Sequence, residues 1–445
     1  MIGKRLVDIA TLLGCVGRCS SPVISFEVDS RKIVPGSLFF ALKGENVDGH
    51  TFLEDAVSRG ALAAVVSKEY KGEVRGLELI RVENVLASLH YLAALQVKQK
   101  NMRCIAVTGS VGKTTTKEFI ATILQGHFSV GKTPGNANSQ VGLPLSLLNM
   151  ADTPEVFVAE VGMSQKGEIA ALLPIISPEI VVVTKVALAH ALYFPDGLEG
   201  VAQAKAEILG HPNTKKVFLN SQVAAFKAFQ KQHSVNPVFY GFEKTEKVHD
   251  AAIFFKDQAF FIETPEGVSS PFPLPFTATH FAENFLAAAL VARELGLGLD
   301  AIIERAQFLA PYKMRFEKIE KDGVLYLNDS YNANPASMKA ALENLPKPLE
   351  GGKVIAVLGE MKELGVFSKQ AHIEVGHIAS IHADILFCLG SDCLEMLQEF
   401  RKSKKFGFYG SSLQELKDEL ARYINKGDVV LIKGSNSLKM WELLS

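Results

Sequence analysis

The sequence predicts an α/β protein of three domains, the central one built on a doubly wound parallel sheet. Its 445 residues suggest three units at roughly 150 residues each, and 48% hydrophobic residues can supply a core for every unit. Short β-rich runs alternate with helical patterns, and the central runs are almost entirely apolar, which is typical of parallel strands covered on both faces. We divide the chain into domains over 1–83, 84–310 and 311–445.

The first domain has the pattern of a small α/β module. Its β-rich runs are VISFEV, LFFAL, AAVVS and LELIRV. One helical stretch, FLEDAVSRG, ends at Gly60, because glycine is favoured just after a helix. From 84 to about 98 the pattern is again helical, and a new strand begins near residue 100. We assign this helix to the second domain.

The second and third domains continue the alternation. The second has the strand runs CIAVTG, VFVAEVG, IVVVTKV and KVFLN, followed near 252–263 by a predicted hairpin with Lys256, Asp257 and Gln258 at its turn. The third begins with a hairpin that turns at Asp322-Gly323 and continues with the strand runs KVIAVLG, DILFCLG and DVVLIKG. This predicts a Rossmann-like α/β unit at the C-terminus.

Composition excludes several classes of protein. With 47 Lys+Arg and 48 Asp+Glu the formal charge is -1, so no chain-wide positive field is available for nucleic acid. Five cysteines without a C-x-x-C pair fit a reduced, cytoplasmic setting. No run approaches the ~18 apolar residues of a membrane span, and Asp8 interrupts the first apolar stretch, so we expect neither membrane insertion nor a signal peptide.

The strongest chemical signal is IAVTGSVGKTTTKEFIATIL. A strand that enters a glycine-rich turn and then a helix directs backbone N–H groups at phosphate, and Lys113 adds a mobile cation. The general phosphate-loop pattern has glycine where this chain has Val107, so the loop is shortened to T-G-x-x-G-K-T. The Thr114 hydroxyl can bind the Mg²⁺ that accompanies the terminal phosphates. The candidate nucleotide contacts are Gly109, Ser110, Val111, Gly112, Lys113, Thr114 and Thr115. The alternative is a glycine-rich turn without a ligand.

Three further residues are candidates with plain structural alternatives. Glu160 ends an apolar strand, where ligands bind in open α/β sheets, but a lone carboxylate there can also cap a helix or be a solvated loop residue. His190 follows the next apolar run and can equally be a hydrogen-bonded structural histidine. Lys205 lies in a helical segment, where by default we expect a solvated surface residue, and nothing in its spacing indicates otherwise.

These residues resemble the ATP-dependent Mur ligases of bacterial cell-wall synthesis, and most closely the branch that adds D-alanyl-D-alanine. The resemblance covers nearly the whole chain. In the first domain it lies in VDSRKIVPGSLFFALKGENVDGHTFLEDAVSRGA, and in the second in TGSVGKTTTKE and TPGNANSQVGLPLSLL. In the third it lies in LNDSYNANPASMKAAL, the most specific string, followed by VLGEMKELG and KGSNSLKM. The resemblance implies a three-domain Mur ligase architecture with an N-terminal UDP-binding domain.

The resemblance also implies a reaction. ATP would phosphorylate the terminal carboxylate of UDP-N-acetylmuramoyl-tripeptide, and the amine of D-alanyl-D-alanine would attack the acyl phosphate to give an amide through a tetrahedral intermediate. Because a carboxylate and a triphosphate repel each other, cations such as Lys113 and Mg²⁺ must screen them. By the resemblance, Thr114 and Glu160 would hold one Mg²⁺, and His190 with a carbamate on Lys205 would hold a second.

Other contacts follow from the same resemblance. Asn284 would meet the adenine, and Arg315 and Asp329 would reach the γ-phosphate and ribose when the third domain closes over the phosphate loop. Ser30 and Arg31 would bind the uridine diphosphate, where the planar Arg31 fork suits phosphate oxygens. The candidate substrate-binding residues in the two quoted strings are Asn138, Ser139, Asn332 and Asn334. We expect a monomer.

Three positions depart from the family pattern. Phe281 stands where the family has the first asparagine of H-N-x-x-N, and Lys185 stands where an asparagine commonly ends the strand before His190. Asn436 replaces the arginine of K-G-S-R and so lacks its fixed charge. These changes concern substrate contacts, since the residues for phosphoryl chemistry are in place.

Two alternative functions stay open at this point. One is another member of the superfamily, such as folylpolyglutamate synthase or the meso-diaminopimelate-adding ligase, against which the DSYNANP string argues. The other is a nucleotide-driven binding module in which ATP closes the domains without ligation. The sequence is compatible with either diaminopimelate or lysine as the third residue of the acceptor tripeptide.

Overall fold

The computed structural model describes residues 1–44, 46–230, 235–243 and 250–444, which form three sheets flanked by helices. In the described part of the N-terminal region, four parallel strands lie in the order β1-β2-β3-β4. The elements are α1 (Leu6–Leu12), β1 (Ser25–Glu27), β2 (Ser37–Phe40), α2 (Leu53–Ser58), β3 (Ala63–Ser67) and β4 (Glu78–Val82). Helix α2 ends as predicted, because Gly60 has φ +88°.

The next helix begins where the sequence predicts. In α3 (Val85–Gln99) the Asn84 side chain accepts a hydrogen bond from the Ala87 amide, which caps the helix. The middle region follows with β5 (Arg103–Thr108), α4 (Lys113–Leu124), β6 (Val130–Lys132), α5 (Gly142–Leu148), β7 (Val156–Glu160), α6 (Glu168–Ile176), β8 (Ile180–Val183), α7 (Gly197–Ala206), β9 (Lys216–Asn220), α8 (Lys227–Gln230), β10 (Val238–Phe242), β11 (Ala251–Lys256), β12 (Ala259–Thr264), β13 (Gly267–Val268), α9 (Thr279–Glu294) and α10 (Leu299–Ala306).

Over the described residues of this region, nine strands form one sheet in the order β13-β12-β11-β10-β9-β8-β5-β7-β6. All neighbouring strands from β6 through β7, β5, β8, β9 and β10 to β11 pair in parallel. Strand β5 therefore lies between β7 and β8. The crevice beside β5 at the carboxyl ends of these strands is where ligands bind in such sheets. The predicted hairpin is confirmed, with Asp257 and Gln258 at φ +51° and +63°, and it extends the edge of this same sheet.

Within the fully described range 311–444, six strands lie in the order β14-β15-β19-β16-β17-β18. The elements are β14 (Glu317–Lys321), β15 (Val324–Asn328), α11 (Pro335–Glu343), β16 (Val354–Gly359), α12 (Ser368–His382), β17 (Ile385–Leu389), α13 (Cys393–Arg401), β18 (Phe406–Gly410), α14 (Leu413–Leu420) and β19 (Val429–Lys433). The β14–β15 hairpin turns at Asp322 and Gly323, both at positive φ, as predicted. All other pairs are parallel.

Packing of α9 on α4 builds the floor of the site. Every residue of α9 from 281 to 292 is buried, and Phe119 and Ile123 of α4 lie in the same core. Alanines at 287–289 add little side-chain bulk to this packed helix, so α9 can lie close to its neighbours. No helix in the described ranges combines the length and the apolar character needed to cross a bilayer.

Candidate active site

The loop between β5 and α4 has the backbone of a phosphate cradle. Gly109 and Gly112 take φ +149° and +89°. A Cβ at Gly109 would overlap the Thr184 hydroxyl, and one at Gly112 would lie 2.7 Å from Asn284 Oδ1. The Ser110 amide donates to the Lys185 carbonyl at 2.7 Å. Only glycine therefore fits at these two positions, and the loop leads directly into the N-terminus of α4.

The lysine of this loop is folded back over it. Lys113 Nζ donates to the Gly109 carbonyl at 2.9 Å. Burial lowers the Lys113 pKa, and the nearby Arg315 charge lowers it further, whereas Glu160 opposes the shift. An anion held by the loop would favour the charged form of this amine and so raise its pKa.

Glu160 is the last residue of β7, and in the part of the chain that the structure describes only one of its two carboxylate oxygens accepts a hydrogen bond. The residue is 1% exposed, and its Oε1 accepts from Asn138 Nδ2 at 2.7 Å. Within the described residues Oε2 is buried without a hydrogen-bond partner, and the Lys117 ammonium lies 3.7 Å from it. A carboxylate oxygen left in this state fits a divalent cation, since Mg²⁺ prefers such oxygen ligands.

Lys117 is a residue that the sequence analysis missed. Its side chain is fully buried in α4, and Nζ donates to the carbonyls of Thr133 and Gly135 at 2.8 and 2.7 Å. The ammonium lies 3.2 Å from Glu118 as well as near Glu160. Lys117 therefore ties the segment after β6 to the phosphate-loop helix and balances buried carboxylates.

Replacing Lys117 with alanine should destabilise the protein by about 3–5 kcal/mol, because buried carboxylate and carbonyl groups would lose their partner. Thermal or urea unfolding measures the effect. Lys132→Ala is the matched control, because Lys132 pairs with the same Glu118 from a half-exposed position and should cost about 1 kcal/mol or less. Equal stability of the two variants would contradict the role of Lys117.

His190 faces both the cleft and the third domain. Its Nδ1 lies 2.5 Å from Glu363 Oε2, and its backbone has φ +57°. Burial lowers the His190 pKa, and Lys113 and Lys205 lower it further, although Glu363 opposes them. The neutral imidazole, the form that binds metals, is favoured here.

Lys205 does not lie on a solvated face, so that prediction was wrong. The side chain on α7 is 2% exposed, because the face of α7 that includes Val201 and Ala204 is packed against the core. Burial lowers the Lys205 pKa well below its ordinary value, and the Lys113 charge acts in the same direction. A helical pattern cannot identify the one polar residue that points inward.

The third domain contributes Arg315. Its Nη2 lies 3.5 Å from Thr114 Oγ1, and the guanidinium carbon lies 3.9 Å from the centre of the Tyr331 ring. Among the described residues, Arg315 Nε is a buried donor without a hydrogen-bond partner. A half-buried, stacked guanidinium whose Nε is a buried donor without a described partner, beside a phosphate loop, suits an anionic oxygen.

Asp329 follows β15 at the same boundary. Its Oδ2 lies 2.7 Å from Lys433 Nζ, and its Oδ1 accepts from the Phe316 amide at 3.1 Å. Lys433, the first lysine of the string KGSNSLKM, is 1% exposed, and the sequence analysis assigned it no role. Burial lowers the Lys433 pKa, and the Asp329 carboxylate opposes that shift.

Two adjoining clefts bring most predicted residues together. The smaller has a cavity volume of about 70 Å³ and lies over the start of α4. Its predicted lining residues are Val111, Gly112, Thr115, Asn284, Arg315 and Asp329. The larger has a cavity volume of about 500 Å³ and lies between the second and third domains. Its predicted lining residues are Ser110, Val111, Lys113, Asn138, Ser139, Glu160, His190, Arg315, Asn332 and Asn334.

The three departures from the family pattern also lie at these clefts. Phe281 is 3% exposed and packs near Phe316, and Lys185 pairs with Glu283 at 2.5 Å beside it. Both line the smaller cleft. Asn436 lines the larger one and donates to the Tyr331 carbonyl at 3.0 Å. The smaller cleft therefore offers a charged pair and a ring where the family pattern has amides.

Some predicted residues have other partners. Ser30 and Arg31 line neither cleft, and Arg31 pairs with Asp29 at 2.8 Å, which lowers the pKa of that carboxyl to about 2. Asn334 caps α11 by accepting from the Ser337 amide at 2.9 Å. Asn138 donates to Glu160. These contacts give Arg31, Asn334 and Asn138 a structural role in addition to the predicted binding role.

The chain is similar to known proteins over nearly its whole length. The family descriptions "Mur ligase family, catalytic domain", "Mur ligase middle domain" and "Mur ligase, glutamate ligase domain" match 25–96, 107–292 and 314–436. UDP-N-acetylmuramoyl-tripeptide–D-alanyl-D-alanine ligase of Bacillus subtilis (strain 168) is 33% identical over 425 residues, covering 94% of this chain and 91% of that protein.

Solved structures agree with this similarity. MurF ligase from Thermotoga maritima in complex with ADP is 29% identical with a TM-score of 0.80, covering 94% of this chain and 96% of that one. MurF from Acinetobacter baumannii is 27% identical with a TM-score of 0.85, covering 100% and 98%. The likeness extends across all three domains.

Proposed function

Because this chain belongs to the Mur ligase family, we propose that it is an ATP-dependent acid–amino-acid ligase that joins D-alanyl-D-alanine to the terminal carboxylate of UDP-N-acetylmuramoyl-tripeptide. The product is the UDP-muramoyl pentapeptide of peptidoglycan synthesis. The observation that carries the proposal is the larger cleft, where a phosphate loop, a buried carboxylate and a guanidinium of the third domain face one another. The name of the Bacillus subtilis relative favours this acceptor over those of other family members.

The first chemical step is phosphoryl transfer. A carboxylate oxygen of the tripeptide attacks the γ-phosphorus of ATP, the bond to the bridging oxygen breaks, and ADP leaves. Both reactants are anions, so their approach requires cations in a site with little water. Lys113 and the N-terminus of α4 hold the phosphates, and Arg315 reaches them from the opposite domain.

The second step is acyl transfer. The dipeptide amine attacks the acyl carbon, the tetrahedral intermediate expels inorganic phosphate, and the amine releases its proton. Residues of both domains line the larger cleft, so the acyl phosphate is shielded from water while the domains are closed. We propose that Asn138, Ser139, Asn332 and Asn334 contact these substrates.

Mg²⁺ sites are part of the same proposal. We propose that Thr114 and Glu160 hold one ion, an assignment that the unpartnered Glu160 oxygen supports. When bound, Mg²⁺ neutralises charge on the transferred phosphoryl group. We further propose that His190 and a carbamate on Lys205 serve a second ion. The lowered pKa of Lys205 supports this, because a neutral amine adds to CO₂ to give a carbamate and a proton.

The remaining assignments concern recognition and organisation. We propose that Asn284 meets the adenine, that Asp329 meets the ribose, and that Ser30 and Arg31 bind the uridine diphosphate. The domain boundaries proposed are 83/84 and 310/311. Packing of α3 mainly on α5 and α6 supports its place in the second domain. We propose a cytoplasmic monomer.

The test is phosphate release by the purified protein with ATP and Mg²⁺. We expect release only when UDP-N-acetylmuramoyl-tripeptide and D-alanyl-D-alanine are both present, because each supplies one reactant. Tripeptides ending in diaminopimelate and in lysine are compared as acceptors. ATP hydrolysis that is independent of both substrates would instead indicate a nucleotide-driven binding module.

A further inference from the structure

Beside the larger cleft, one loop of the third domain touches the second domain. The Leu192 amide donates to the Glu363 carbonyl at 2.9 Å. A Cβ at Gly197 would lie 2.9 Å from the Phe367 ring, so this glycine allows the two segments to approach. The docking loop, which we define as 360–367, therefore lies directly on the segment that begins at His190.

The side chains of this contact meet at His190. Its Nδ1 and Glu363 Oε2 are 2.5 Å apart, and the two residues belong to different domains. Both backbones have positive φ, +57° at His190 and +64° at Glu363, which is costly for residues with a Cβ. Backbone strain on both sides of one contact is typical of a functional arrangement.

The chemistry of the pair fixes the histidine tautomer. A carboxylate can only accept hydrogen bonds, so the proton of the neutral imidazole lies on Nδ1 and the lone pair lies on Nε2. Histidine ligands of metals usually donate their other N–H to such a carboxylate, which also sets the ring orientation. Glu363 lies in the string VLGEMKELG, but the sequence analysis assigned it no role.

We propose that Glu363 is a positioning residue: by accepting the Nδ1 proton of His190 across the domain boundary, it prepares His190 for the metal–nucleotide complex only when the third domain has docked. The inference rests on the proposed function and deepens it, because it links closure to the metal site. By linkage, metal and nucleotide then favour the docked arrangement to the same extent that docking favours their binding.

The experiment measures Mn²⁺ binding by electron paramagnetic resonance, in the full-length protein with a non-hydrolysable ATP analogue. Glu363→Ala should weaken Mn²⁺ binding about 10- to 100-fold, the usual cost of removing such a carboxylate. Glu363→Gln, which keeps the size and one acceptor oxygen, should lose less. In a His190→Ala background, Glu363→Ala should have no further effect, because its action passes through His190.

Val366→Ala is the control, since Val366 lies in the same docking loop and is 91% exposed. It should bind Mn²⁺ like the wild type. The inference is overturned if Glu363→Ala binds Mn²⁺ normally or if the wild type binds no Mn²⁺. It is also overturned if Glu363→Ala weakens Mn²⁺ binding as much in the His190→Ala background as in the wild type. None of these readouts requires turnover, so failure of the ligase assay is a separate result.

Discussion

Replacing Lys113 with alanine should lower kcat by about 100- to 1,000-fold, the usual cost of removing one positioned group that stabilises transition-state charge. The ammonium lies over the phosphate loop and donates only to the Gly109 carbonyl among the described residues, so it contributes little to packing. Phosphate release with both substrates measures kcat. Thermal unfolding should show an intact fold.

Lys215→Ala is the matched control for this variant. Lys215 is a surface lysine that pairs with Glu179 away from the clefts, and its side chain is 69% exposed. This control should turn over at the wild-type rate, because a surface pair contributes about 1 kcal/mol or less to stability. A near-normal rate in Lys113→Ala would show that the loop is not the phosphate site.

Replacing Lys205 with alanine should lower turnover about 100-fold, because the proposed carbamate would hold a metal ion that stabilises the transition state. Short-chain carboxylic acids such as acetate or propionate should restore part of the activity. The substitution removes a long buried side chain, and a small carboxylate can occupy the space and supply the missing oxygens. The assay is phosphate release across a series of acid concentrations.

Lys98→Ala on the exposed end of α3 is the control, and the acids should leave its activity unchanged. If Lys205→Ala retains full activity, Lys205 does not belong to the site. Activity that is lost but not restored by any acid would argue against the carbamate and would leave a role in packing.

The phosphate loop was predictable from the sequence because its determinants are local. Gly109 and Gly112 are required by backbone angles set within a few residues, and Lys113 and Thr114 follow directly at the start of a helix. The two hairpins were predictable for the same reason, since their turn residues accept positive φ. Strands β6, β10 and β18 were missed because they are short or interrupted by glycine.

Contacts between residues far apart in the sequence could not be predicted from such local patterns. Glu363 and His190 are 173 residues apart, and Asn284 reaches Thr116 from 168 residues away. The strings TPGNANSQVGLPLSLL and LNDSYNANPASMKAAL contain Asn138, Asn332 and Asn334, which line the larger cleft. Their hydrogen-bond partners could not be predicted from the strings. The direction of each side chain depends on how the domains pack.

The amino-acid sequence alone predicted three α/β domains and the phosphate loop, because hydrophobic period and glycine placement act over short distances. The family was indicated by the resemblance of several quoted strings, not by these patterns. Only the tertiary structure decided that Lys117 and Lys205 are buried, that Lys185 pairs with Glu283, and that the third domain touches His190. The protonation preferences of buried amines depend on the solvent and charges around them. Those surroundings exist only after sheets and helices from distant parts of the chain have packed together.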